Sequence, residues 1–153
     1  MVGEALPLSY LAVIAVVLSV IDIREHRLPN KILLPSYAVA AILFIPMGLD
    51  DPQGYLRSML SAAVLFGAFL VLAIIGNGAL GMGDVKLAGL LGMYLGWFGW
   101  TAVFLGGVLA FILGGIWALA LLVARIFKKG TSELPFGPSM FLGAFLAMFV
   151  FSV

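Results

Sequence analysis

The chain has 153 residues, of which 64% are hydrophobic and 10% charged, with a formal net charge of +1 and a mean hydropathy of +1.24. These fractions lie far outside those of soluble domains and imply an all-α integral membrane protein, while so small a net charge offers no basic surface for nucleic acid. The chain has no Cys and a single histidine, His26, which excludes disulfides, cysteine-based zinc sites and thiol nucleophiles and leaves too few ligands for a catalytic zinc, which takes about three.

The first apolar run, Leu6 to Ile21, follows Glu4 rather than a basic segment, and no small-x-small cleavage site precedes Asp22. It therefore reads as a retained helix and not as a secretory signal. The polar stretch Asp22 to Lys31 ends it. Within that stretch Leu28-Pro29-Asn30 is a turn, with Asn30 as the expected N-cap of the second helix. His26 is expected at the membrane surface.

Further apolar runs extend from Ile32 to Leu49, Met59 to Ile75, Val85 to Trp97, Phe98 to Ala124 and Phe136 to Phe151. A membrane-crossing helix needs about 20 apolar residues, with a range of about 17 to 25, so the fourth run is short. Its division from the fifth rests on Gly96-Trp97-Phe98-Gly99-Trp100, a turn signal with interfacial aromatics. The expectation is one polytopic domain over residues 1–153, a bundle of six transmembrane helices. Its connections, Asp22 to Lys31, Asp50 to Arg57, Gly76 to Asp84 and Arg125 to Pro135, are too brief for a soluble domain.

Arg24, Arg27, Lys31, Lys86, Arg125, Lys128 and Lys129 fall in the first, third and fifth connections, leaving Arg57 alone in the second. The positive-inside rule then predicts both termini outside. The same rule puts Asp22, at the end of the first span, and Asp84, at the start of the fourth, on the cytoplasmic side. Gly89, Gly92, Gly96 and Gly99 recur at three or four residues, a spacing that serves close helix packing.

The segment Gly81-Met82-Gly83-Asp84-Val85-Lys86 sets an acid between two apolar runs. An ionisable group at the edge of a bilayer costs free energy unless it is paired, hydrated or used. Taken alone, Asp84 reads equally well as the N-cap of the fourth helix, and Asp22 as a solvated acid beside Arg24, Glu25, His26 and Arg27. Together they have a chemistry. Two facing carboxyls share one proton, so that one acts as base toward water and the other as acid, which is enough to hydrolyse a peptide bond. Helix dipoles and Lys86 predict an ionised Asp84 and a protonated Asp22. Gly81 and Gly83 would let an extended peptide approach closely, and Gly83 would let the chain turn into the fourth helix. Leu134-Pro135-Phe136-Gly137-Pro138 reads as a rigid helix entry.

In order along the chain stand Asp22, Pro29-Asn30, Gly81-Met82-Gly83-Asp84-Val85-Lys86 and Pro135-Phe136-Gly137-Pro138. This set resembles the type IV prepilin peptidases, membrane aspartic proteases with a GxGD signature, over nearly the whole chain. The resemblance implies an endopeptidase of the cytoplasmic membrane that removes the basic leader of a prepilin or pseudopilin whose apolar helix stays in the bilayer. It implies Asp22 and Asp84 as the catalytic pair and Gly81 and Gly83 as substrate-binding. Lys86, Pro29, Asn30, Pro135, Phe136, Gly137 and Pro138 are implied in supporting roles, with no metal and no cofactor. Longer members carry a cysteine-bearing insertion associated with methylation of the new N-terminus. The short first connection and the lack of Cys therefore predict no methyltransferase activity, as in the compact forms serving Tad-type or archaellum-type filaments. The chain lacks the Pro-Ala-Leu motif of presenilin-like proteases. Two rival readings are a small proton or cation transporter or channel subunit, with the two acids as relay, and a structural subunit in which neither acid matters for cleavage.

Overall fold

The computed structural model describes residues 2–76, 80–126 and 136–152, and these form six helices: α1 (Val2–Glu25), α2 (Asn30–Asp50), α3 (Pro52–Ile75), α4 (Met82–Phe98), α5 (Trp100–Ile126) and α6 (Gly137–Ser152). Four of them, α1, α2, α3 and α5, are long and apolar enough to cross a membrane; α4 has 17 residues and α6 has 16. Pro135, Lys128, Lys129 and Glu133 lie outside the described residues.

The connections explain the alternation of direction. α1 ends where His26 takes a left-handed φ of 52°. α2 and α3 are separated by Asp51 alone, whose carboxylate accepts the Gly54 N–H at 2.9 Å as the N-cap of α3. Pro52 follows it, its fixed φ suited to a first helical turn. Gly99, with φ at 123°, breaks the chain between α4 and α5, at the boundary expected from the Gly-Trp-Phe-Gly-Trp stretch.

α3 differs from expectation, since it begins at Pro52 and not near Met59. Its first two turns are polar enough to read as a loop, but Arg57 and Ser58 are used inside the bundle. The Arg57 guanidinium donates to the carbonyls of Gly96, at 2.6 Å, and Trp97, at 2.8 Å. These belong to the last turn of α4, whose carbonyls have no partner within their own helix. A cation there also complements the helix dipole.

α4 is the centre of the bundle. Val85 and every residue from Leu87 to Gly96 are buried, with α2, α3, α5 and α6 packed around it. Between apolar helices in lipid the attraction is mainly close van der Waals contact, so small residues decide how near the backbones come. The glycine ladder acts in this way. A Cβ on Gly92 would stand 2.5 Å from the Ser61 carbonyl oxygen, and one on Gly96 would stand 2.6 Å from Ser61 Cβ. α3 and α4 thus meet backbone to backbone, and Ser58 adds a bond from its hydroxyl to the Met93 carbonyl. On the α2 side Phe44 stacks on Trp97 and meets Tyr94 edge-on, with centroids 5.5 and 5.2 Å apart.

Candidate active site

At one end of the bundle the end of α1, the start of α2, the start of α4 and the start of α6 converge. Asp22 lies in the last turn of α1 and is 4% exposed. The amide of Gly137, the first residue of α6, donates to its Oδ2 at 2.9 Å. Asp22 therefore meets two helix ends, the C-terminus of its own and the N-terminus of another. This removes the premise on which helix dipoles alone predicted a protonated Asp22.

Asp84 lies in the first turn of α4 and is half-buried. The N-cap is Gly81, with extended backbone, so Asp84 is the third helical residue and not the cap. Its carboxylate turns back toward the Gly81 backbone, where a Cβ would lie 3.3 Å from Oδ2. An acid at this position complements the positive end of the helix.

α1 packs on α2 and α6, and no Cα of α1 lies within 8 Å of a Cα of α4 among the described residues. The two carboxyls approach across that gap. No hydrogen bond joins them, but they are near enough for the charge of Asp22 to act on Asp84.

The first connection is tied to α4. Buried Leu28 packs on Gly83, where a Cβ would stand 3.0 Å from Leu28 Cβ. Gly83 is helical, so its use is this close approach and not the sharp turn expected of it. Lys86 Nζ donates to Asn30 Oδ1 at 3.0 Å. Pro29 is the residue that caps α2, and Asn30 is its first helical residue, with its side chain spent on α4 rather than on capping. Phe136 packs on Gly114 of α5 and rests 6.0 Å, centroid to centroid, from Phe111. Pro138 stands in the first turn of α6, half-buried. His26 is exposed.

Tyr37 was not foreseen. Its hydroxyl donates to the Lys86 carbonyl, and its ring end fills the space that a Cβ on Gly89 would need. The signal was present in its position, seven residues after Asn30 and so two turns along the same face of α2.

The chain has relatives among known proteins. The profile described as the type IV leader peptidase family matches residues 9–119. The chain is 33% identical over 146 residues to a prepilin leader peptidase/N-methyltransferase of Bacillus subtilis (strain 168), covering 94% of this chain and 55% of that protein. It is 31% identical over 150 residues to the protein of that name from Pseudomonas putida, covering 95% and 50%. It is 33% identical over 152 residues to the one from Pectobacterium carotovorum subsp. carotovorum, covering 95% and 50%. The chain thus spans about half the length of the curated relatives it matches. No solved structure gives a significant match.

Proposed function

The chain belongs to the type IV leader peptidase family, and from that premise we propose that it is a multi-pass aspartic endopeptidase of the cytoplasmic membrane. Its substrates are prepilin-like or pseudopilin-like proteins, from which it removes the basic leader at the cytoplasmic face. All six helices span the bilayer in this reading, with both termini outside. The cations of the first connection then hold the carboxyl end in the cytoplasm.

The observation that carries the reading is the convergence of Asp22, from the end of α1, and Asp84, from the start of α4, at one end of the bundle. In this reading a water and the scissile peptide bond lie between the two acids. One carboxylate takes a proton from the water as its oxygen attacks the scissile carbonyl. The other, protonated, gives its proton to the leaving nitrogen as the C–N bond breaks. The Gly81 to Gly83 segment offers the extended peptide a surface without side-chain bulk. Pro29, Asn30, Lys86, Phe136, Gly137 and Pro138 hold the two acids in place, and no metal or cofactor enters a step.

The membrane-resident helix of the substrate and its cytoplasmic leader fit a site at the end of a bundle. A proton or cation relay is less well supported, because both acids lie at the same end instead of along a path. The methyl-transfer half of the relatives' name is not carried over, since the first connection holds no cysteine-bearing insertion.

The test is cleavage of a prepilin-like protein by the purified chain in detergent. Asp22→Asn and Asp84→Asn should each abolish it alone. Undiminished cleavage by either variant removes that residue from the pair, and no cleavage by the unmodified protein refutes the activity.

A further inference from the structure

One stretch of chain holds the start of α4. Leu28 packs on Gly83, Asn30 accepts from Lys86 Nζ, and Tyr37, two turns further along α2, donates its hydroxyl to the Lys86 carbonyl. In sequence Asp84 falls between the first of these contacts and the other two. The contacts differ in what they can fix. Lys86 Nζ ends a flexible four-carbon stem, and its bond to Asn30 is exposed, so it defines the position of the helix only loosely. The Lys86 carbonyl is main chain, with a second lone pair open to a side-chain donor besides the helix's own amide. A bond to that oxygen fixes the height and rotation of the helix whatever the side-chain rotamers. The Leu90 amide acts on the same hydroxyl, so the oxygen sits against the turn from Lys86 to Leu90.

Gly89 is what admits the hydroxyl. A Cβ on residue 89 would collide with the hydroxyl oxygen itself, whereas the ring carbon that bears it would stand 3.3 Å away and Phe66 Cβ 3.2 Å away. A side chain at 89 and a hydroxyl on residue 37 therefore exclude each other. Gly92 and Gly96 serve a different contact, since the atoms opposing them belong to α3.

We propose that Tyr37 is a positioning residue for leader cleavage: through the Lys86 carbonyl it sets the register of the first turn of α4 against α2, and with it the place of Asp84 relative to Asp22. This rests on the function proposed above. Tyr37 acts through α4 and not on the substrate. Its loss therefore lowers the rate of the chemical step and leaves substrate binding alone.

Tyr37→Phe keeps the ring and removes only the bond. In detergent it should lower kcat for a prepilin-like substrate about tenfold at unchanged KM, because small misplacements of a reacting group act on the rate. Amide hydrogen exchange over residues 84–90 should quicken in the same variant, a readout that needs no activity. Tyr55→Phe is the control. Its hydroxyl donates to the Ala41 carbonyl at 3.5 Å, away from the start of α4, so kcat and exchange over residues 84–90 should stay as they are. Gly89→Ala expels the Tyr37 hydroxyl and should lower kcat by a similar factor. In Tyr37→Phe/Gly89→Ala the new methyl takes the space that the oxygen left, so the double variant should be no slower than the worse single one. An unchanged kcat in Tyr37→Phe would overturn the proposal, whether or not exchange quickens. A raised KM at unchanged kcat would overturn it too, as would losses that multiply in the double variant. Cleavage by the unmodified enzyme would leave the function standing in each of these cases, whereas its absence would refute the function and leave exchange to report on the hold itself.

Discussion

The Gly137 amide donates to Asp22 Oδ2 across 115 residues of chain, inside the bundle. The bond makes the orientation of Asp22 depend on where α6 begins. It also leaves no space for a side chain at residue 137, where a Cβ would lie 2.8 Å from Oδ2 and 3.4 Å from Cγ. Gly137→Ala must therefore displace the carboxyl or the start of α6. A misplacement near 1 Å costs about 100-fold in rate, so kcat for leader cleavage should fall by that order while the protein stays folded by circular dichroism. Undiminished kcat would show that this contact does not set the position of Asp22.

Two carboxyls that act as base and acid predict a pH profile with two limbs. Activity requires one ionised and one protonated group. As pH falls, the base is protonated and the rate drops; as pH rises, the acid ionises and the rate drops again. The bell belongs to the pair and not to either residue. The profile of kcat/KM on a prepilin-like peptide whose own titratable groups are removed checks this. A rate that rises to a plateau and stays there at alkaline pH would mean that no carboxylic acid donates a proton.

Lys86 and Asn30 join α4 to the start of α2 near the membrane surface. A hydrogen bond to a charged group is worth roughly 1.5–3 kcal/mol when well formed, and exposure lowers that here. Asn30→Ala and Lys86→Ala should each slow cleavage about fivefold, and the double variant should be no slower than the worse single one, because both remove the same bond. Additive losses in this cycle would mean that the two residues act separately.

The six helices and the end of the bundle that holds both acids were legible in the sequence, because apolar length and the spacing of cations depend on local composition alone. The start of α3 was not. Arg57 and the residues around it look like a loop until the last turn of α4 is present to accept the guanidinium. Asn30 and Gly83 were legible as special residues but not in their uses, which are a bond to Lys86 and a seat for Leu28. Each depends on a partner more than 50 residues away. Asp22 shows the same limit, since its place at the end of α1 was evident but the helix terminus facing it belongs to α6.

The glycines of α4 and α5 make a contrast that composition alone cannot draw. A Cβ on Gly92 would meet the Ser61 carbonyl oxygen at 2.5 Å and Ala62 Cα at 3.0 Å. These are backbone atoms, which cannot swing aside, so α3 and α4 must separate. Such overpacking costs about 1–3 kcal/mol, and Gly92→Ala should lower the thermal unfolding temperature in detergent. Gly115 has nothing within 4 Å of its would-be Cβ. There Ala should be tolerated, or stabilising by up to about 1 kcal/mol through helix propensity. Because α4 carries Asp84 in its first turn, a shift of α4 away from α3 should make Gly92→Ala reduce cleavage along with stability, whereas Gly115→Ala should leave cleavage intact. Equal effects of the two substitutions on unfolding would mean that the seam is not packed backbone to backbone.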